Sequence, residues 1–176
     1  NTATASARAG NVIGGGDWAK DRLIPDILFA MENKSHLKIR NPNSIRPWQH
    51  VLECLSGYLI LAQKLFQNKH EFSGAWNFGP AQRDTESVKW IVKKMSSFGK
   101  YKLSWETVVN EQFKETEFLR LNNAKAKEKL SWKPKWDLSA ALEKVIYWHV
   151  NWKNGTDARK LCEQQIKEYQ INKLHK

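Results

Sequence analysis

Short strand-like runs alternating with helical stripes predict an α/β or α+β fold, and three observations carry that expectation. Ala5, Ala7 and Ala9 alternate with Ser6, Arg8 and Gly10 ahead of Val12 and Ile13, as a strand does when it leaves a buried sheet. Apolar residues then recur at helical spacing in several separate stretches. Glycine, proline and asparagine clusters fall between those stretches, and no internal repeat or low-complexity linker interrupts the 176 residues. With 41% hydrophobic residues the chain can bury one sizeable core, so a single unit is expected.

Taken in order, the opening strand runs into Gly14, Gly15 and Gly16, and a helix is expected from near Asp21. Its stripe is Leu23, Ile24, Ile27, Leu28 and Met31, with Pro25 tolerated in the first turn. Residues 37–40 read as a strand ended by Asn41, Pro42 and Asn43. A long helix follows, with Val51, Leu55, Tyr58, Leu59, Ala62 and Leu65 expected on its inward face. Residues 74–80 read as a strand with a Gly-Pro stop. Asp84 or Thr85 is expected to cap the next helix, whose stripe is Val88, Ile91, Val92 and Met95. Residues 101–105 read as strand and 117–121 as extended chain, and Asn122 is placed to cap a short helix through Leu130. After the Trp132 to Trp136 elbow, Asp137 should cap a helix with Leu138, Ala141, Leu142, Val145, Trp148 and Trp152 inward, ended by Gly155. A last helix should bury Leu161, Cys162, Gln165, Ile166 and Tyr169.

Composition narrows the function classes. Cys54 and Cys162 are isolated, which excludes a disulfide framework or a C-x-x-C site and fits a reducing cytoplasm. No apolar run reaches the roughly 18 residues of a membrane span, so a soluble protein is expected. The sequons at Asn33 and Asn154 read as chance matches. The formal charge of +11 and nine tryptophans raise nucleic acid as a partner, but the lysines interleave with Glu128, Glu143 and Glu168 on helix faces. Solvated helix surface accounts for most of that charge, and a small anionic ligand suits the excess. The chain begins at Asn1, directly on a strand pattern, and reads as a piece of a longer polypeptide.

The three glycines allow positive φ and close approach of N–H groups to a ligand, and a helix N-terminus beside them would favour an anion. Gly10, Gly14, Gly15 and Gly16 do not fit G-x-G-x-x-G, and no Gly-Lys-Ser/Thr follows. Two readings stay open on these residues alone, a plain strand-to-helix turn and an anion seat. The five histidines show neither H-E-x-x-H spacing nor cysteine neighbours, so no metal site is expected. Only Tyr169 has a lysine four places on, and it sits on the core stripe of the last helix, so no catalytic residue is assigned. Polar and guanidinium groups do gather at element ends: Asn11, Arg22, Arg40, Arg46, Asn77, Arg83 and Arg120. Arg46 stands out, because Pro47 biases it to extended backbone and Trp48 can anchor the turn, which leaves two readings open on these residues alone, a planar fork aimed at a pyrophosphate and an exposed loop arginine.

Residues 8–18 (RAGNVIGGGDW), 22–26 (RLIPD) and 46–53 (RPWQHVLE) closely resemble the CDP-glucose 4,6-dehydratases. These form a branch of the extended short-chain dehydrogenase/reductases, within the NAD-dependent epimerase/dehydratases. The resemblance continues through residues 74–80, 130–137 and the tail from Trp152 to Tyr169. It implies an α/β fold, the C-terminal substrate-binding part of an extended Rossmann-type enzyme with the NAD-binding sheet mostly missing. On that reading residues 1–20 are the last Rossmann strand and its glycine-rich turn, and residues 21–176 a sugar-nucleotide-binding subdomain.

The family oxidises the sugar at C4 with bound NAD, eliminates water across C5 and C6, and returns the hydride to C6. The product is CDP-4-keto-6-deoxyglucose, a precursor of deoxysugars in lipopolysaccharide O-antigen. The resemblance therefore implies a cytoplasmic lyase that binds CDP-glucose, is oligomeric when complete, and has no nucleic-acid or membrane partner. The glycine-rich NAD loop and Tyr-x-x-x-Lys pair lie upstream in the family, so this chain alone is expected to be inactive. By position, Asn11 should contact the phosphates, Arg22 and Leu23 border the nucleotide, and Ile39 lie beside the cytosine. Arg46 should clamp the pyrophosphate, Asn77 support the nucleotide end, and Arg120 lie where relatives close over the phosphates. Asn122, Asn123 and Ala124 replace the Asp-Cys-Ser expected there.

Overall fold

The opening run divides at Gly10 into β1 (Ala5–Ala9) and β2 (Asn11–Ile13). A Cβ at Gly10 would lie 2.2 Å from the Pro47 carbonyl oxygen, and that oxygen accepts the Asn11 N–H at 2.9 Å. Only glycine lets the two backbones approach so closely. The computed structural model describes residues 2–98, 103–108 and 117–171. Its remaining strands are β3 (Leu37–Ile39), β4 (Ile45–Arg46), β5 (Trp48–His50), β6 (Gly74–Phe78), β7 (Glu86–Ser87) and β8 (Trp105–Thr107). Its helices are α1 (Leu23–Asn33), α2 (Val51–Asn68), α3 (Val88–Phe98), α4 (Ala124–Leu130), α5 (Leu138–Lys153) and α6 (Ala158–Ile171).

Parallel pairs join β1 to β6, β2 to β5 and β3 to β8, while β4 and β7 are antiparallel. Parallel pairing with helical crossovers is the α/β arrangement, and no described strand pairs with the second edge of β1. Two apolar cores hold the elements. Ile24, Ile27 and Leu28 of α1 meet Leu37 and Ile39, Ile91 and Met95 of α3, and Leu142 and Val145 of α5. Trp76 and Phe78 of β6 pack with Leu61, Ala126, Leu130 and Trp132 in the second.

Local chemistry sets the helix ends. Asp137 accepts the Ala140 N–H at 2.8 Å and starts α5, and Gly155 at φ 90° follows its end. Asn122 accepts the Ala124 N–H at 2.9 Å. α1 starts at Leu23, just past Asp21, whose φ of 61° no right-handed helix contains. For α3 the cap is Ser87, whose Oγ accepts the Trp90 N–H, instead of Asp84 or Thr85. The strand expected at 101–105 is found at Trp105–Thr107, and residues 101 and 102 lie outside the described ones.

The inward face of α2 differs from the stripe read in the sequence. Glu53, Cys54, Gly57 and Leu61 point in, while Leu55 is exposed and Leu59 and Phe66 are 73% and 89% exposed. Two features turn the helix. Gly57 lies on the Phe78 ring, where a Cβ would come within 2.2 Å. Glu53, only 1% exposed, accepts the N–H groups of Lys135 and Trp136 and the Tyr169 hydroxyl at 2.7 Å. That carboxylate fixes the Trp132 to Trp136 elbow and ties α6 to α2. On α6 itself Leu161, Gln165 and Tyr169 are buried, whereas Cys162 and Ile166 face outward.

Candidate functional site

Four element ends converge on one cleft of about 590 Å³. β2 brings Asn11, the start of α1 brings Arg22 and Leu23, the end of β3 brings Ile39 with Lys38 and Arg40, and β4 brings Arg46. Register fixes their positions: Asn11 is opposite Trp48, Arg46 is opposite Glu86, and Trp48 is buried in the core beneath them. Five of the seven residues assigned from the sequence thus line one space: Asn11, Arg22, Leu23, Ile39 and Arg46.

Charged groups of both signs line the cleft, Arg22, Lys38, Arg40 and Arg46 with Asp17, Asp21 and Asp26. The N-terminus of α1 lies at the cleft, with Arg22, Leu23 and Ile24 in its lining, and Arg22 provides no side-chain cap to the first turn. Arg22, Lys38, Arg40 and Arg46 supply cations around the same space. Arg22 is 3.5 Å from Asp17, and Arg46 donates from Nη1 to the Ile45 carbonyl at 3.0 Å, which orients its guanidinium. Arg40 is among the guanidinium groups at element ends in the sequence, whereas Lys38 carries no such signal, because an alternating strand shows only that it points away from Leu37 and Ile39. The nearness of Lys38 and Arg40 to Arg46 comes from the turn at residues 41–44.

Asn77 and Arg120 are not brought to this cleft. Asn77 sits on β6 opposite Arg8 and donates to the Asn122 carbonyl at 3.1 Å, so its amide ties β6 to the start of α4. Arg120 lies over the Phe118 ring and lines a separate hollow with Lys127 and Pro80. The glycine run does not form the cradle either. A Cβ on Gly15 would fall 2.2 Å from the Trp148 indole, so the run is flat to admit that ring, and of the three only Gly16 holds positive φ. The plain strand-to-helix turn is the reading the packing supports.

Elsewhere, His50 is 1% exposed and accepts the Leu52 N–H at Nδ1. Burial, with Lys144 nearby, pushes its imidazole down to about 4. Among the described residues no group of three or more His, Cys, Asp or Glu is placed to hold a metal, and no helix is long and apolar enough to cross a membrane.

No family model matches the chain. It is 48% identical over 165 residues to the CDP-glucose 4,6-dehydratase of Salmonella typhimurium strain LT2, covering 94% of this chain and 46% of that protein. The chain thus spans about half the length of the curated relative it matches. In structure it resembles a UDP-glucose-4-epimerase of Stenotrophomonas maltophila with bound NAD and a formylated UDP-arabinopyranose. That match has a TM-score of 0.74 at 16% identity, over 86% of this chain and 49% of that one. It also resembles the dTDP-glucose 4,6-dehydratase of Bacillus anthracis str. Ames in complex with NAD, with a TM-score of 0.67 at 17% identity, over 84% and 44%. The α/β fold is that of the extended short-chain dehydrogenase/reductases, matched over about half their length.

Proposed function

We propose that this chain is the sugar-nucleotide-binding portion of a CDP-glucose 4,6-dehydratase, a cytoplasmic lyase that is oligomeric when complete. The observation that carries the reading is the convergence of Asn11, Arg22, Leu23, Ile39 and Arg46 on one cleft. In this reading the Arg46 fork meets two oxygens of the pyrophosphate, Asn11 and the open N–H groups of α1 add donors, and Ile39 offers an apolar face to the base. Lys38 and Arg40 add charge that draws the anion in.

NAD, which the relatives' fold implies, does not fit the residues described here. The one glycine run is covered by Trp148, and Tyr169, the only tyrosine followed by lysine at the family's spacing, is spent on Glu53. No step of the oxidation or elimination is therefore assigned to this chain. Its part is to hold the CDP group so that the glucosyl unit is presented to the cofactor-bearing half. An isothermal titration of the 176-residue chain tests this: CDP-glucose should bind, NAD should not, and no 4-keto sugar should form. Tight NAD binding or a complete lack of CDP-glucose binding would overturn the assignment.

A further inference from the structure

The cations of the cleft would serve any nucleoside diphosphate sugar, since all share the pyrophosphate. Base selection needs something else, and the cleft holds carboxylates as well. Asp17 is engaged with Arg22 and with the Ala19 N–H. Asp21 is exposed on a positive-φ turn. Asp26 differs from both: it is partly buried in the first turn of α1 and lines the same cleft as Ile39 and Arg40.

An acidic residue in a first helical turn is ordinarily explained by the helix dipole, which favours it by about 0.3 to 1 kcal/mol. That explanation would serve equally well with the side chain in open water. Here a partly buried carboxylate lines a cleft that also holds Arg22, Lys38, Arg40 and Arg46, where it opposes phosphate. Burial and the Asp21 carboxylate push the Asp26 carboxyl above its ordinary range, and the Asp21 N–H and the Arg40 guanidinium draw it back down. Arg40 directly follows Ile39, so Asp26 lies within electrostatic reach of the strand end assigned to the base and lines the same cleft.

An ionised carboxylate only accepts hydrogen bonds. Cytosine carries an amino donor at its 4-position, where uracil and thymine carry a carbonyl acceptor, and Asp and Glu are the usual partners of that amine. We propose that Asp26 reads the 4-amino group of cytosine and makes the cleft select cytidine over uridine or thymidine diphosphate sugars. This rests on the sugar-nucleotide reading of the cleft. A carbonyl set against the carboxylate would leave two acceptors facing each other, a mismatch worth roughly ten- to a hundredfold in affinity.

Calorimetric titration of the 176-residue chain with CDP and UDP tests it, because the pyrophosphate is held constant while the base changes. CDP should bind about ten- to a hundredfold more tightly. Asp26→Asn, whose amide offers both a donor and an acceptor, should bring the two affinities together without lowering the melting temperature. On the ligand side, CDP dimethylated at the 4-amino nitrogen has no N–H to give and should bind the unaltered chain as weakly as UDP does, whether or not the variant folds. Equal CDP and UDP affinities in the unaltered chain, both weakened by Arg46→Lys, would overturn the base reading and leave the sugar-nucleotide cleft standing. Failure of both nucleotides to bind would overturn the two together. A fall in melting temperature with a parallel loss of both affinities in Asp26→Asn would make Asp26 a helix residue alone.

Discussion

Replacing Tyr169 with Phe removes one oxygen from the buried polar cluster around Glu53 and leaves the ring where it is. That oxygen donates to Glu53 Oε2 at 2.7 Å and lies 3.1 Å from Ser56 Oγ. The ring's edge contact with Trp136 and the Lys135 ammonium over its face do not depend on it. A hydrogen bond to a charged group contributes about 1.5 to 3 kcal/mol. Glu53 keeps its bonds from the Lys135 and Trp136 N–H groups, so the carboxylate is not stranded and a loss of about 2 kcal/mol is expected. For a chain of this size that lowers the melting temperature by about 4 to 8 °C, measured by circular dichroism at pH 7. Tyr147→Phe, which removes a hydroxyl accepting only a 3.3 Å surface bond from Gln164, is the matched control and should shift it little.

Acidity supplies a second reading of the same variant. Burial raises the Glu53 carboxyl above its ordinary value of 4.5, against the hydrogen bonds that lower it. A group raised in the folded state contributes stability that is full below the unfolded value and lost as pH rises through the folded one. The Tyr169 hydroxyl offsets that loss by stabilising the ionised form, so the deficit of Tyr169→Phe should shrink as pH falls toward 4. A melting temperature unchanged by the substitution, or a deficit that grows in acid, would refute the assignment of Glu53 as the buried carboxylate holding the elbow.

Three further outcomes follow from the packing and the cleft. The His50 imidazole, lowered to about 4 from 6.5, contributes stability present above pH 6.5 and lost as pH falls through 4. Urea titrations at pH 7 and pH 4 should show His50→Gln losing about 3 kcal/mol less on acidification than the unaltered chain. Gly15→Val should destabilise by at least 1 to 3 kcal/mol, roughly the cost of overpacking against a fixed ring, because its Cβ would overlap Trp148; unchanged thermal stability would return the glycine run to ligand binding. Arg46→Lys keeps the charge and removes the fork, so CDP-glucose affinity in calorimetry should fall by about ten- to a hundredfold with the melting temperature retained.

Much of this was legible in the chain where one residue acts on its neighbours. Asp137 capping α5, Gly155 following its end, and the buried Ile91, Val92 and Met95 of α3 need only local spacing. What escaped depends on partners distant in sequence. The inward face of α2 is set by Phe78 against Gly57 and by the elbow's N–H groups against Glu53, so a hydrophobicity count ranked Leu55 and Leu59 above the residues that turn in. The glycine run resembles a ligand turn until Trp148 is seen lying on it. Asn77 and Arg120 were placed by resemblance, and their side chains serve the β6 to α4 junction and the hollow beside it. In the cleft, Arg46 was visible because proline and tryptophan follow it, whereas nothing in the sequence around Asp26 sets it apart.

The most direct measurement is a ¹H–¹⁵N correlation titration of the 176-residue chain with CDP-glucose. Amide shifts should concentrate at Asn11, Arg22 to Ile24, Lys38 to Asn41 and Arg46, saturating together with one affinity. Shifts gathered at Arg120 to Lys127, or none at saturating ligand, would contradict the placement of CDP-glucose in this cleft.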